Sequence, residues 1–104
     1  MSMANPARGE AEFRVGGAAL LLRPSFAALV AAEQELGPLF ALVERAAEGR
    51  LGIGEMASLF FHCAAERSDE VTRERIGEAI AEGGLTKATP ALRMLLTQIL
   101  QGRV

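Results

Sequence analysis

Among its 104 residues the chain has no tryptophan, no tyrosine, one cysteine and one histidine. A single cysteine excludes an internal disulfide framework, and Cys63 alone fits a reducing compartment. One His and one Cys cannot complete a zinc site, which needs about four N, S or carboxylate ligands. His62 and Cys63 are also neighbours in sequence. On a helix such residues diverge by about 100°, a poor geometry for a nucleophile and its base. Without Tyr or Trp the chain lacks the commonest anchors of large permanent interfaces. Nor is there a run of one charge. Eleven basic and thirteen acidic residues give a net charge of −2, divided evenly between the two halves. That excludes a charge-driven nucleic-acid footprint. The longest unbroken apolar run, Phe26 to Ala32, falls far short of the roughly 20 residues of a membrane span. Met1 to Glu10 contains no apolar segment of a secretory signal. The expected location is the cytoplasm.

What is present points to helices. Half the residues are hydrophobic and 23% are charged. The apolar half is mostly Ala and Leu, strong helix formers, with few of the β-branched and aromatic residues a β domain favours. The length suits one domain, expected over residues 9–104 after a frayed segment 1–8.

An antiparallel hairpin is expected over residues 10–23. Glu10 to Val15 alternates polar and apolar, and Gly16-Gly17 separates it from Ala18 to Arg23. Two glycines suit a type I′ turn, which needs positive φ twice. That turn pairs Val15 with Ala18, Phe13 with Leu20 and Ala11 with Leu22 on one apolar face. Glu10 opposite Arg23, and Glu12 opposite Leu21, fall on the other face. Leu21 is left on the polar side.

About five helices follow. The first is expected near 25–36, capped by Ser25, buried through Phe26, Leu29, Val30 and Leu36, and stopped by Gly37. The second, 38–49, opens on Pro38 and buries Leu39, Leu42, Val43 and Ala46. Leu51 and Ile53 should pin the link to the core. The third, 55–66, carries Met56, Leu59, Phe60, Cys63 and Ala64 at helical spacing, with Phe61 about 100° off that stripe. The fourth, 72–82, buries Ile76, Ala79 and Ile80 behind a Thr72 or Ser68 cap. The last, 87–101, starts between Thr86 and Pro90 and buries Leu92, Leu95, Leu96, Ile99 and Leu100, with Met94 turned the other way. The fold class is α+β with helix dominant.

No catalytic pattern emerges. The acids from Glu66 to Glu82 are interleaved with Arg67, Arg73 and Arg75 and read as a solvated face. Gly49 to Gly54 lacks the Lys-Ser or Lys-Thr of a phosphate loop. No enzyme activity, cofactor or metal is expected. Leu21, Phe61 and Met94 are apolar residues that the expected core does not use, which makes them the candidates for contacting a partner protein.

The order of short motifs carries a resemblance. Ala4-Asn5-Pro6-Ala7-Arg8-Gly9-Glu10 precedes the hairpin. Leu22-Arg23-Pro24-Ser25-Phe26-Ala27-Ala28-Leu29 and Glu33-Gln34-Glu35-Leu36-Gly37 follow. Ile76-Gly77-Glu78-Ala79-Ile80 and Glu82-Gly83-Gly84-Leu85 precede the last, Leu-rich helix. Over nearly its whole length the chain resembles the gene transfer agent and phage tail protein family encoded between the tail tube and tape-measure genes. That resemblance implies tail morphogenesis in a bacterial host. The family has been described both as a tail tube protein and as a tail assembly chaperone, which binds the apolar tape-measure protein and leaves the finished particle. A chaperone is the expected role, with a retained, particle-associated tail component as the alternative. A small DNA-binding regulator is a second alternative. The expected partners are the tape-measure or another tail protein, with a homo-oligomer open, and no nucleic acid or membrane.

Overall fold

The computed structural model describes residues 10–102; the expected frayed segment 1–8 lies outside the described residues. Strands β1 (Ala11–Val15) and β2 (Ala18–Leu22) form an antiparallel pair, followed by helices α1 (Phe26–Leu36), α2 (Leu39–Ala47), α3 (Ile53–Cys63), α4 (Arg73–Gly83) and α5 (Leu85–Gln101).

The strand register is the expected one, with Ala11 opposite Leu22, Phe13 opposite Leu20 and Val15 opposite Ala18. The turn differs. Gly16 has φ 64 but Gly17 does not take positive φ, the sign pattern of a II′ turn rather than I′. Glu10 does pair with Arg23, through Nε and Oε2 at 2.7 Å. It is buried, however, rather than exposed on a polar face. The guanidinium supplies the opposite charge that a buried carboxylate requires.

The hairpin's apolar face, Ala11, Phe13, Leu20 and Leu22, lies in one core with Leu59, Phe60, Ile76, Ile80 and Leu95. Phe13 meets Phe60 edge to face, with ring centroids 5.2 Å apart, a favoured aromatic geometry. A two-stranded sheet alone is marginal in water; here helices cover its face.

Helix α3 begins and ends two to three residues earlier than its periodicity suggests. At its start the Glu55 carboxylate accepts the Gly52 N–H at 3.0 Å. That bond, and then the Arg45 guanidinium, hold the Glu55 carboxyl below the usual range. At its end the chain leaves the helix to extend the sheet edge. Arg23 N–H donates to the Cys63 carbonyl at 2.7 Å, and Ala65 N–H to the Leu21 carbonyl at 2.9 Å. Glu66 follows with φ 53, a left-handed conformation uncommon for any residue but glycine. Six α3 residues are buried, including Met56, Leu59, Phe60 and Cys63. Burial pushes the Cys63 thiol up to about 12, as expected of an inert core cysteine.

Two expected stripes and the link between α2 and α3 differ. In α1 only Ala32 is fully buried; Ala28, Leu29 and Leu36 pack beside it, while Phe26 and Val30 are exposed. Residues 26–32 are all apolar, so no polar side chain marks which side faces out. In α5 the buried line is Ala88, Ala91 and Leu95, and Leu100 is exposed. Met94 packs partly against the core instead of pointing away. This helix starts at Leu85, because Gly84, at φ 88, ends α4 and caps α5. Pro90 therefore lies inside the helix. Ile53 is exposed, and of the two link residues Leu51 packs on the core.

Helices α1, α2 and α4 keep their expected positions to within two residues. Ser25 Oγ accepts from Ala28 N–H and Thr72 Oγ1 from Arg75 N–H. Pro38 is the N-cap of α2 rather than its first residue. The Leu39 N–H behind it donates to Glu33 Oε2 at 3.1 Å.

Candidate functional site

Two features stand out from the framework: a polar cluster that fastens α1, and an apolar surface on the side of α1 and α2 facing away from the core.

The polar cluster centres on Glu35 near the end of α1. His62 on α3 approaches Glu35 Oε1 through Nε2 at 2.7 Å, and the Arg73 guanidinium on α4 bonds Oε2. His62, Arg73 and Ser58, in that order, hold the Glu35 carboxyl down at about 2. It is therefore ionised at neutral pH and only accepts, so the histidine N–H donates. Ser, His and Glu together invite comparison with a hydrolase triad. The connections are wrong for one. His62 spends its Nε2 on Glu35 and Ser58 accepts from Arg73 at 3.5 Å, so the histidine is not set between hydroxyl and carboxylate as a triad requires. The cluster ties three helices together. Among the described residues no group of three His, Cys, Asp or Glu could hold a metal ion.

Of the three residues singled out from the sequence, Phe61 and Met94 line different hollows. Leu21 is half-buried, with its carbonyl taken by Ala65. Phe61 is half-buried under two cations, Arg67 at 4.0 Å and Arg73 at 4.9 Å from the ring centroid. Such stacking covers an aromatic face with charge. Arg67 also donates to the Phe61 carbonyl at 2.6 Å. Met94 lines a shallow hollow along α5 with Thr86, Thr89, Pro90, Arg93 and Thr97. Phe61 lines a different hollow, with Arg67 to Glu74.

The apolar side chains most open to solvent lie elsewhere. Phe26 is 85% and Phe40 78% exposed; Leu85, Leu100, Ile53 and Val30 are exposed to a smaller degree. A groove of about 270 Å³ is lined by Glu33, Leu39, Phe40, Val43, Ile99 and Leu100, with Pro38 at its end. Phe26, Val30 and Glu33 stand at i, i+4 and i+7 on α1 and so share one face. Glu33 thus links the exposed stripe of α1 to the groove between α2 and the end of α5. The α2 stripe of Leu39, Leu42, Val43 and Ala46 makes no use of Phe40. Its roughly 100° offset from that stripe marks it in the same way that Phe61 is marked in α3.

The family model described as phage tail tube protein, GTA-gp10, matches residues 8–102. The chain belongs to this family of tail proteins. The match takes in the hairpin and all five helices and places the chain in tail morphogenesis. No curated protein and no solved structure matches it. For a tail protein, whose work is assembly, the exposed apolar groove is a more relevant surface than the satisfied polar cluster. Among the described residues no single helix is long and apolar enough to cross a membrane. The apolar pair α1 and α2 is bent by 75° at its break.

Proposed function

We propose that this tail protein is a non-enzymatic assembly chaperone that holds the apolar tape-measure protein before the tube closes around it. The observation that carries the reading is the exposed surface of α1 and α2. Each of these helices has one fully buried residue, Ala32 and Leu42, while Phe26 and Phe40 stand in solvent. An exposed apolar surface of this kind is what a reversible holder of apolar chain needs. The absence of Trp and Tyr from the sequence fits a contact that must later be released. A tube wall closes through extended sheets, and the described residues contribute a sheet of two strands.

The second reading, a tail component retained in the particle, draws on the tube description of the family. Quantitative composition of purified tails separates the two. The chaperone reading expects this chain to be absent or far below the tube subunit in copy number, and the tape-measure protein to become insoluble when the chain is deleted. Stoichiometric presence in mature tails would overturn it in favour of the second.

A further inference from the structure

The chemistry of the groove's rim selects among partners. Glu33 and Glu44 flank its apolar floor: Glu33 lines the groove, and Glu44 stands one helical turn beyond Phe40 on the same side of α2. The cation nearest in sequence, Arg45, is committed to Glu55. Arg50 is committed to Glu48 at 2.6 Å. The rim therefore carries carboxylates beside large exposed apolar side chains. Pairing this face with the same face of a second copy about a two-fold axis would set carboxylate against carboxylate. The outer face of α5 has a cation in Arg93, and its large apolar side chains are the half-buried Met94 and the exposed Leu85; these lie about 13 Å apart along the helix, too far for both to fill a groove bordered by Phe40 and Leu100.

We propose that the surface formed by Phe26, Val30 and Glu33 of α1, together with Phe40 and Glu44 of α2 and Leu100 of α5, docks an amphipathic helical segment of a tail partner. In that segment the apolar anchors are flanked by Lys or Arg. The proposal rests on the assembly reading above and adds a place and a charge preference to it. Phe26 lies about 10 Å along α1 from Glu33, roughly two turns of a docked helix, and Glu33 opens onto the groove. Apolar anchors in the groove supply affinity. The rim acids supply orientation and discrimination against acidic segments.

The test uses the full chain and two labelled synthetic helical peptides with the same Leu and Ala stripe, one with a Lys polar face and one with a Glu polar face. Fluorescence anisotropy should show the Lys peptide binding about tenfold or more tighter. Phe40→Ser should weaken it by about tenfold, whereas Met94→Ser leaves it unchanged. The double variant E33Q/E44Q should shrink the preference between the two peptides; Gln keeps an oxygen for the Leu39 N–H. Equal binding of both peptides, or indifference to Phe40→Ser, overturns the proposal. Concentration-dependent self-association that blocks the peptide and is lost in Arg93→Glu also overturns it, assigning the groove to a second copy. The failures are separable. If tape-measure capture survives Phe40→Ser, the docking site is wrong while the chaperone reading stands. If tails contain the chain stoichiometrically, the chaperone reading falls while peptide binding still decides the groove.

Discussion

Helices α1 and α3 have the same length, eleven residues each, and both are rich in apolar side chains. They are used in opposite ways. Helix α3 buries six residues, packs on α1 and α4 and meets the hairpin through Phe60. Helix α1 buries only Ala32 and turns Phe26 and Val30 to water. Apolar composition therefore does not determine burial; what matters is whether the rest of the fold brings partners to each face. The hairpin needs a cover, which α4 and α5 provide together with Phe60 of α3 against Phe13. Helix α1 is fastened at its far end by the ionic cluster around Glu35, which leaves Phe26 and Val30 unused by the fold.

The largest effect should come from cutting the α3 side. Phe60→Ala removes a fully buried ring and should cost about 3–5 kcal/mol. Phe40→Ser, at a mostly exposed site, should stay within about 0.5 kcal/mol. Urea denaturation followed by circular dichroism measures both. Similar losses would break the comparison.

Next in size is the fastening of α1. The folded-state carboxyl of Glu35 lies at about 2, below its ordinary 4.5. A depressed carboxylate contributes stability that is present above pH 4.5 and lost as pH falls toward 2. Hydrogen exchange should show α1 amides losing protection over that window before α3 amides do. Glu35→Gln should loosen α1 by about 1 kcal/mol at neutral pH and remove its share of the acid response. Unchanged α1 exchange in Glu35→Gln would mean that apolar contacts alone hold the helix.

The smallest effect concerns the α3 exit. Glu66 occupies a left-handed position, φ 53, so Glu66→Gly should stabilise the fold by up to about 1 kcal/mol, read as a higher thermal midpoint. A lower midpoint would mean that the Glu66 side chain makes a compensating contact.

How far the sequence reveals this division depends on where polar residues fall. The hairpin register is readable because Gly16-Gly17 fixes the turn and alternation fixes the faces. The α3 stripe is readable because Glu55, Ser58 and His62 interrupt it at helical spacing. Seven consecutive apolar residues, Phe26 to Ala32, carry no such mark, and the outward side of α1 emerges only from three-dimensional packing. Pro90 suggests a helix start, but Gly84 provides an earlier one, and the proline is accommodated within the first two turns of α5. Cations cover Phe61, one of the three candidates from sequence, whereas Phe40 and Phe26 stand open. The covering residue Arg73 comes from α4, outside the reach of local periodicity.

On the assembly reading, α1 and α2 present apolar surface to a partner rather than to the fold. Its most direct test is the double variant F26S/F40S, co-expressed with the tape-measure protein and assayed for co-purification and thermal midpoint together. Co-purified partner should fall by about tenfold or more with a midpoint unchanged within a few degrees. Undiminished partner capture, or a midpoint lowered as far as in Phe60→Ala, would contradict that reading.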